Sequence, residues 1–91
     1  MDARTVASAL DAAARELGTV ARDLSEAGFG LGRAVAQTVW AGRAADAACG
    51  VVADAVGALA ECALAADRAA RSASRAATDA WQIAAIMERL P

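Results

Sequence analysis

The chain has 91 residues, enough for a single domain, and 58% of them are apolar although only 3% are aromatic. Alanine makes up about one-third of the sequence. Because alanine forms helices well but buries little surface per residue, the composition predicts helices that gain stability from a partner. Nine arginines against eleven acids leave a formal net charge of −2, which argues against nucleic-acid binding, since that function usually needs a basic excess.

The N-terminal stretch, MDARTVASALDAAARELG, does not resemble a signal peptide. It carries Asp2 and Arg4 early, and it lacks a basic start, an uninterrupted apolar centre and a cleavage site. The most apolar segment, residues 47–66, is interrupted by Asp54 and Glu61, whereas a membrane span needs roughly 20 consecutive apolar residues. We therefore predict a soluble chain with no membrane span.

A heptad pattern runs through the first half of the chain. Leucines recur every seven residues, namely Leu10, Leu17, Leu24 and Leu31. Smaller apolar residues lie between them at spacings of three and four, namely Val6, Ala13, Val20, Ala27 and Ala34. This is the a and d stripe of a heptad repeat. The stripe predicts a long amphipathic first helix over about residues 3–39.

Three glycines interrupt this predicted helix in the segment GFGLG, residues 28–32. Each costs up to about 1 kcal/mol in a helix interior. The segment could end the helix, which would give a three-helix arrangement, or thin the helix where another backbone passes close, because Gly28 and Gly32 share one face. We favour a continuous helix, since Leu31 keeps the heptad phase across the glycines and Val35 extends the same face.

The second half predicts a helix over about residues 43–89, with no proline before Pro91. Its apolar stripe again has spacings of three and four: Val52, Val56, Leu59, Ala63, Ala66, Ala70, Ala73, Ala77, Ala80, Ala84 and Met87. The alanines let a neighbouring helix approach closely. Large residues crowd the end of the helix: Trp81, Ile83, Ile86, Met87 and Leu90. We expect them to pack over the open ends of a bundle, or else to form a docking patch.

The stretch TVWAGRAADA, residues 38–47, separates the two predicted helices. Gly42 can take the positive φ of a turn or helix cap, and Trp40 is bulky enough to pin the turn against a neighbouring helix. Asp46 suits the positive N-terminal end of the second helix. Short connections make neighbouring helices antiparallel. We therefore predict a turn at residues 40–42 within a single-domain, all-α helix-turn-helix hairpin.

A mid-chain Trp40-x-Gly42 between two heptad helices resembles the WXG family of small helical proteins handled by type VII secretion systems, the early-secreted-antigen-like proteins. The resemblance covers essentially the whole chain. It implies an antiparallel hairpin that pairs into a four-helix bundle dimer, with an identical or a different WXG-type chain. It also implies a substrate or helper of the secretion system that is cytoplasmic before export and secreted without a cleavable signal peptide, with the secretion ATPase as a further partner.

One feature of the family is missing from this chain. Family members or their dimer partners often carry a Tyr-x-x-x-Asp/Glu export signal after the second helix, and this sequence has no tyrosine. The family's arrangement allows one chain of a heterodimer to supply the signal, so this chain would be the partner that lacks it.

The expected helix-packing and partner interface consists of Leu10, Leu17, Leu24, Leu31, Val52, Val56, Leu59, Trp81, Ile83 and Met87. Two helices packed as a single hairpin have one contact seam, so apolar residues off this seam need a second surface to cover them, for example Val39, Val51, Ile83 and Leu90. An alternative interpretation of the same pattern is an alanine-rich structural or adaptor bundle that oligomerises and is unrelated to secretion.

The residue types argue against catalysis. The sequence has no histidine, so it cannot form a Ser-His or Cys-His pair. Cys49 and Cys62 are 13 residues apart, which is about 20 Å on one helix, too far for an internal disulfide, and two cysteines alone do not make a zinc site. We predict buried free thiols, no enzymatic activity, no cofactor or metal, and no small-molecule substrate.

Overall fold

The structure, a computed structural model, describes residues 2–38 and 42–90. Within these residues it contains two α-helices and no β-strand: α1 spans Ala3–Gln37 and α2 spans Gly42–Glu88. The all-α helical hairpin predicted from the heptad patterns is thus confirmed. Both helices begin and end within two residues of their predicted bounds. Val39 and Trp40 lie outside the described residues.

Asp2 caps the N-terminus of α1. Its carboxylate oxygen Oδ1 accepts a hydrogen bond from the backbone N–H of Thr5 at 2.8 Å, and its backbone carbonyl accepts one from Val6 at 3.2 Å. The side-chain bond satisfies one of the N–H groups that a helix start leaves without a partner. The Thr5 N–H is also the main cause that lowers the pKa of the Asp2 carboxyl below its usual value.

The glycine segment does not end α1, which runs unbroken through residues 28–32. This confirms the continuous helix, and the three-helix alternative is wrong. Gly28 is buried, and a Cβ added to it would lie 3.7 Å from the Cβ of Leu59, an ordinary contact distance. A Cβ at Gly30 or Gly32 would meet nothing within 4 Å. The predicted close approach is therefore confined to Gly28, and even there an alanine fits.

Thr38 closes the end of α1. Its backbone N–H donates to the carbonyl of Val35 at 3.2 Å, and its hydroxyl donates to the carbonyl of Ala34 at 2.7 Å. The next described residue, Gly42, has a φ of 85°, in the left-handed region where glycine is favoured. The predicted positive φ is confirmed, and Gly42 is the first residue of α2. The rest of the predicted turn, Trp40 and Ala41, lies outside the described residues.

The chain divides into two compact units, each built from one segment of α1 and one of α2. We call Met1–Thr19 with Ala66–Pro91 the terminal unit, and Val20–Ala65 the turn unit. In the terminal unit Arg4 forms an ion pair with Glu88, and further along α1 Asp11 contacts Trp81. The residue numbers rise on one helix as they fall on the other, so the two helical segments run antiparallel.

Candidate interaction surface

Small side chains form the seam between the helices of the terminal unit. Ala7 of α1 is fully buried, and Ala77, Ala80 and Ala84 of α2 are 1%, 8% and 5% exposed. The three alanines of α2 are three and four residues apart, so they share one face of the helix. No large side chain among the described residues is fully buried. The seam therefore relies on close approach of the two backbones.

The turn unit is built in the same way. Ala21 of α1 and Ala63 of α2 are 9% and 7% exposed, and Gly28 is also buried. Leu59, which faces Gly28, is only half-buried. In this unit too, the centre of the helix contact is made of the smallest residues, and larger apolar side chains lie at its edge.

The buried positions of α1 fall one residue after part of the predicted stripe. Ala21 and Gly28 are buried, whereas their predecessors Val20 and Ala27 are exposed, Val20 by 47%. Successive residues of a helix differ by about 100° in direction, so the side chains of Val20 and Ala27 point to one side of the seam and not into its centre. Ala21 and Gly28 face the other helix for a steric reason, because small residues allow the closest approach of two helices. The apolar stripe of α1 is thus wider than the seam within the chain can cover.

The predicted stripe of α2 is confirmed over most of its length. Every member from Val52 to Ala84 is half-buried or buried, but the last one, Met87, is 59% exposed. A spacing that averages 3.5 residues drifts around a helix that has 3.6 residues per turn. The stripe turns by about 20° per heptad, and its last member, Met87, is also its most exposed.

The predicted interface residues fall into two groups. Those at the edge of the seam are half-buried: Leu10, Leu17, Leu24, Leu31, Val52, Val56 and Leu59. Those near the end of α2 are exposed: Trp81 by 40%, Ile83 by 52% and Met87 by 59%. Neither group is fully hidden by this chain alone. Their role as a partner interface stays a prediction.

Four large apolar side chains make one continuous face at the end of α2, which we call the end patch: Ile83, Ile86, Met87 and Leu90. Their spacing of i, i+3, i+4 and i+7 places them on one side of a helix, and they are 52%, 55%, 59% and 65% exposed. Leu90 lies two residues after the end of α2 and stays beside its last turn, because its N–H donates to the carbonyl of Met87 at 3.3 Å. At about 100° per residue, Met87 lies nearest to the direction of the buried alanines, and Ile83, Ile86 and Leu90 lie about 100° or more from Ala84.

Polar contacts occupy the other side of α2 in the terminal unit. The indole Nε1–H of Trp81 donates to Oδ2 of Asp11 at 2.7 Å, and Glu88, two turns further along, pairs with Arg4. In the sequence, Trp81 is one of the large residues that crowd the end of the helix. Its hydrogen bond shows that it belongs to the contact with α1 and lies apart from the end patch.

A shallow, solvent-open cleft of about 320 Å³ adjoins these polar contacts. It is lined by Asp11, Ala14, Arg15, Ala70, Arg71 and Ser74. Its carboxylate from Asp11 already accepts the Trp81 hydrogen bond, and Arg71 pairs with Asp67 at 3.1 Å. The carboxylate of Asp11 and the guanidinium of Arg71 are therefore already engaged by partners within the chain.

The two cysteines are free, with Cys49 half-buried and Cys62 exposed. The expectation of two buried thiols is therefore wrong, because neither cysteine is fully buried and Cys62 lies off the inward face of α2. In the described part of the chain, no group of three or more His, Cys, Asp or Glu residues could hold a metal ion.

α2 is long and apolar enough to cross a membrane by length and composition alone. An 18-residue window in it has a mean hydropathy of 1.7, and 6% of that window is buried. Asp54 and Glu61 do not exclude α2 from this criterion, because a window with as many as two charged residues still meets it. The absence of a membrane span stays a prediction. The observation itself is that an apolar segment of α2 is largely uncovered by the rest of the chain.

The accessible surface of the chain is large for its mass. It measures 6568 Å², whereas a compact folded monomer of 9.1 kDa exposes about 4,900 Å² by the usual scaling. The excess is about 1,700 Å². Besides the end patch, the exposed large apolar side chains include Phe29 at 76%, Val51 at 70% and Leu64 at 60%.

Some residues of this surface were not in the predicted interface. Ile86 and Leu90 complete the end patch, and both are among the large residues that crowd the end of the second helix in the sequence, for which a docking patch is one of the two expected roles. Phe29 and Leu64 are isolated from the predicted stripes, and nothing in the local pattern distinguishes them from residues that pack inside a chain.

No protein-family model, curated protein or solved structure matches the chain. The resemblance to the WXG family therefore rests on the residues themselves.

Proposed function

We propose that this protein is a non-enzymatic interaction protein of the WXG type, which pairs with a second helical hairpin and is a substrate or helper of a type VII secretion system. The observation that carries the proposal is the distribution of side-chain size. The smallest residues fill the seams of both units, while large apolar residues are half-buried or exposed. Such a chain is adapted to have its apolar surface covered by another molecule.

The surface area supports pairing with another helical chain. If each of two chains hides its excess of about 1,700 Å², the interface totals about 3,400 Å², which lies within the range of obligate dimers. Burial of apolar area contributes about 25 cal/mol per Å² before the costs of association. The half-buried leucines of α1 and its exposed Val20 supply the a and d positions that a second helix pair would cover.

Two further features support the secretion role. The mid-chain Trp40-x-Gly42 motif and the antiparallel hairpin are what the resemblance implies, and Gly42 has the positive φ that a chain reversal uses. The chain lacks a tyrosine-based export signal, so we propose that a partner chain supplies the signal and that the pair is exported together.

Co-expression with the products of neighbouring genes tests the proposal. We expect a tagged copy of this chain to retain a small helical partner or another copy of itself, and to reach the culture medium only when the secretion ATPase is present. Equal recovery from the medium without the ATPase, with lysis excluded by a cytoplasmic marker, would contradict the secretion role.

The same exposed surface also favours a second candidate function, because covering it does not require the Trp-x-Gly motif. An alanine-rich structural or adaptor bundle would oligomerise through these residues and stay inside the cell. The ATPase experiment separates the two candidates, since the adaptor is never recovered from the medium, with or without the ATPase.

A further inference from the structure

Glycine is concentrated in the turn unit. Six of the seven glycines fall within residues 20–65, and the terminal unit contains only Gly18. Five of the six lie inside a helix, namely Gly28, Gly30 and Gly32 in α1 and Gly50 and Gly57 in α2. Each weakens its helix relative to alanine. Apart from Gly28, a Cβ added at any of these five would meet nothing within 4 Å, so no close packing there compensates for the loss.

Burial of apolar side chains is concentrated in the terminal unit. Among the described residues, four of the six buried apolar side chains belong to it, namely Ala7, Ala77, Ala80 and Ala84. The turn unit holds the other two, Ala21 and Ala63. The most apolar stretch of α2, residues 47–66, lies almost wholly in the turn unit, and 6% of the apolar window of α2 is buried. Few buried contacts therefore hold this stretch to α1.

Polar contacts also join the two helices of the terminal unit. The indole of Trp81 donates to Asp11 at 2.7 Å, and Arg4 pairs with Glu88. The ion pair lies close to both ends of the chain, where helices usually open first. The ends of the hairpin are therefore held together by side chains as well as by the buried alanines.

From these observations we propose that the turn unit opens locally while the terminal unit stays folded. In the open state residues 20–37 and 43–65 lose their contact with each other, and the apolar stretch of α2 is released from α1. Segments of one domain differ in stability, and those with few buried apolar contacts open most often. The usual order, in which the chain ends open first, is reversed. The proposal goes beyond the proposed function and rests neither on pairing nor on secretion.

Hydrogen exchange of the purified chain, resolved by residue with NMR, tests the proposal. The conditions are those in which the exchange rate reports the opening equilibrium. Relative to the rates of an unstructured chain, we expect the slowest amides of the turn unit to exchange at least about tenfold faster than the slowest amides of the terminal unit. Equal protection of the two units, or weaker protection of the terminal unit, would overturn the proposal.

A matched pair of substitutions separates local opening from opening of the whole chain. Ala27→Gly in the turn unit and Ala12→Gly in the terminal unit replace exposed alanines inside α1, and each should speed exchange about two- to fivefold where it acts. Opening of the whole chain includes the turn unit, so Ala27→Gly should speed exchange in both units. Ala12→Gly should leave the slowest amides of the turn unit unchanged. If Ala12→Gly speeds exchange equally in both units, the hairpin opens as one unit and the proposal is wrong.

Thiol labelling gives a readout that does not depend on backbone exchange. In a chain with Cys49→Ala and Cys62→Ala, we introduce either Ala63→Cys in the turn unit or Ala80→Cys in the terminal unit. These alanines are matched, since they are 7% and 8% exposed on the same helix. Each labelling rate is divided by the rate of the same thiol in denaturant. A maleimide should then label the Ala63→Cys protein at least about tenfold faster than the Ala80→Cys protein, and equal rates would contradict local opening.

The failure of this proposal can be distinguished from the failure of the proposed function. A chain that pairs and is exported, but whose two units exchange alike, would overturn local opening and leave the proposed function standing. A chain that opens at the turn unit and is never exported would confirm local opening and contradict the secretion role. If a substitution abolishes folding, the exchange pattern of the wild type still decides.

Discussion

Two glycines of this chain, Gly42 and Gly30, affect the stability of its helices in different ways. Gly42 adopts a φ of 85° at the start of α2, a conformation that costs other L-residues roughly 1–2 kcal/mol. Gly30 lies inside α1 with nothing within 4 Å of where its Cβ would be. At Gly30, therefore, glycine contributes only backbone freedom to the unfolded chain, and that freedom opposes folding.

Alanine substitutions at these glycines should have opposite signs. We expect Gly30→Ala to raise the free energy of unfolding by about 0.5–1 kcal/mol. Gly42→Ala should lower it by about 1 kcal/mol, because the left-handed backbone becomes strained. Urea denaturation followed by circular dichroism measures both. Two shifts of the same sign would contradict the assigned roles.

The cap at Asp2 should make stability depend on pH at the acid end. Its hydrogen bond from Thr5 lowers the pKa of the folded carboxyl relative to the unfolded chain. Stability from this group is therefore present above the unfolded pKa and is lost as the pH falls through the folded pKa.

We expect the difference in stability between the wild type and Asp2→Ala to narrow as acid is added. The thermal midpoints of the two proteins from neutral to low pH measure this gap. Asp2→Asn, which caps without titrating, is the control, and a gap that stays constant down to low pH would contradict the assignment.

At the scale of the elements, the seam depends on side chains no larger than alanine. Ala77 is 1% exposed, whereas Ala69, two turns earlier in α2, is exposed. We expect Ala77→Leu to destabilise the protein by about 1–3 kcal/mol through overpacking. Ala69→Leu should stay within about 0.5 kcal/mol of the wild type. Denaturant melts of both variants give the comparison, and equal stabilities would show that the helices are not in close contact at this level.

The hydrogen bond from Trp81 to Asp11 links residues 70 positions apart. A double-mutant cycle with Asp11→Ala and Trp81→Phe isolates its contribution, since phenylalanine keeps the ring and loses the N–H. We expect a coupling energy of about 1 kcal/mol, the usual net value for a hydrogen bond that is partly exposed. Additive effects of the two substitutions would mean that the bond does not stabilise the terminal unit.

The helices were predictable from sequence because their signals are local. The leucine ladder and the α2 stripe have helical spacing, and they predicted both helices to within two residues at each end. The Asp2 cap was missed, although an Asp directly before a helical pattern is a recognised start signal.

The seam of α1 was not predictable in the same way. The sequence pattern does not show whether Val20 or Ala21 faces α2, because both residues belong to one wide apolar stripe. That choice depends on which side chain allows the closer approach of α2. The Trp81 contact with Asp11 likewise depends on how distant segments pair, and neither residue carries a local sign of it.

For the whole molecule, the relation between mass and surface is the main result. A chain of 9.1 kDa that exposes 6568 Å² and buries mainly alanine is incompletely covered. The apolar window of α2 is part of this uncovered surface, since 6% of it is buried. We propose that a second helical chain provides the missing cover, by the same hydrophobic effect that drives folding.

The mass of the purified chain in solution tests this claim most directly. Light scattering during gel filtration at about 1–100 µM should give about twice the monomer mass of 9.1 kDa, or, after co-expression, the summed mass of this chain and one small helical partner. A helical monomer of 9.1 kDa that stays monomeric throughout this range and takes up no second chain would contradict the account.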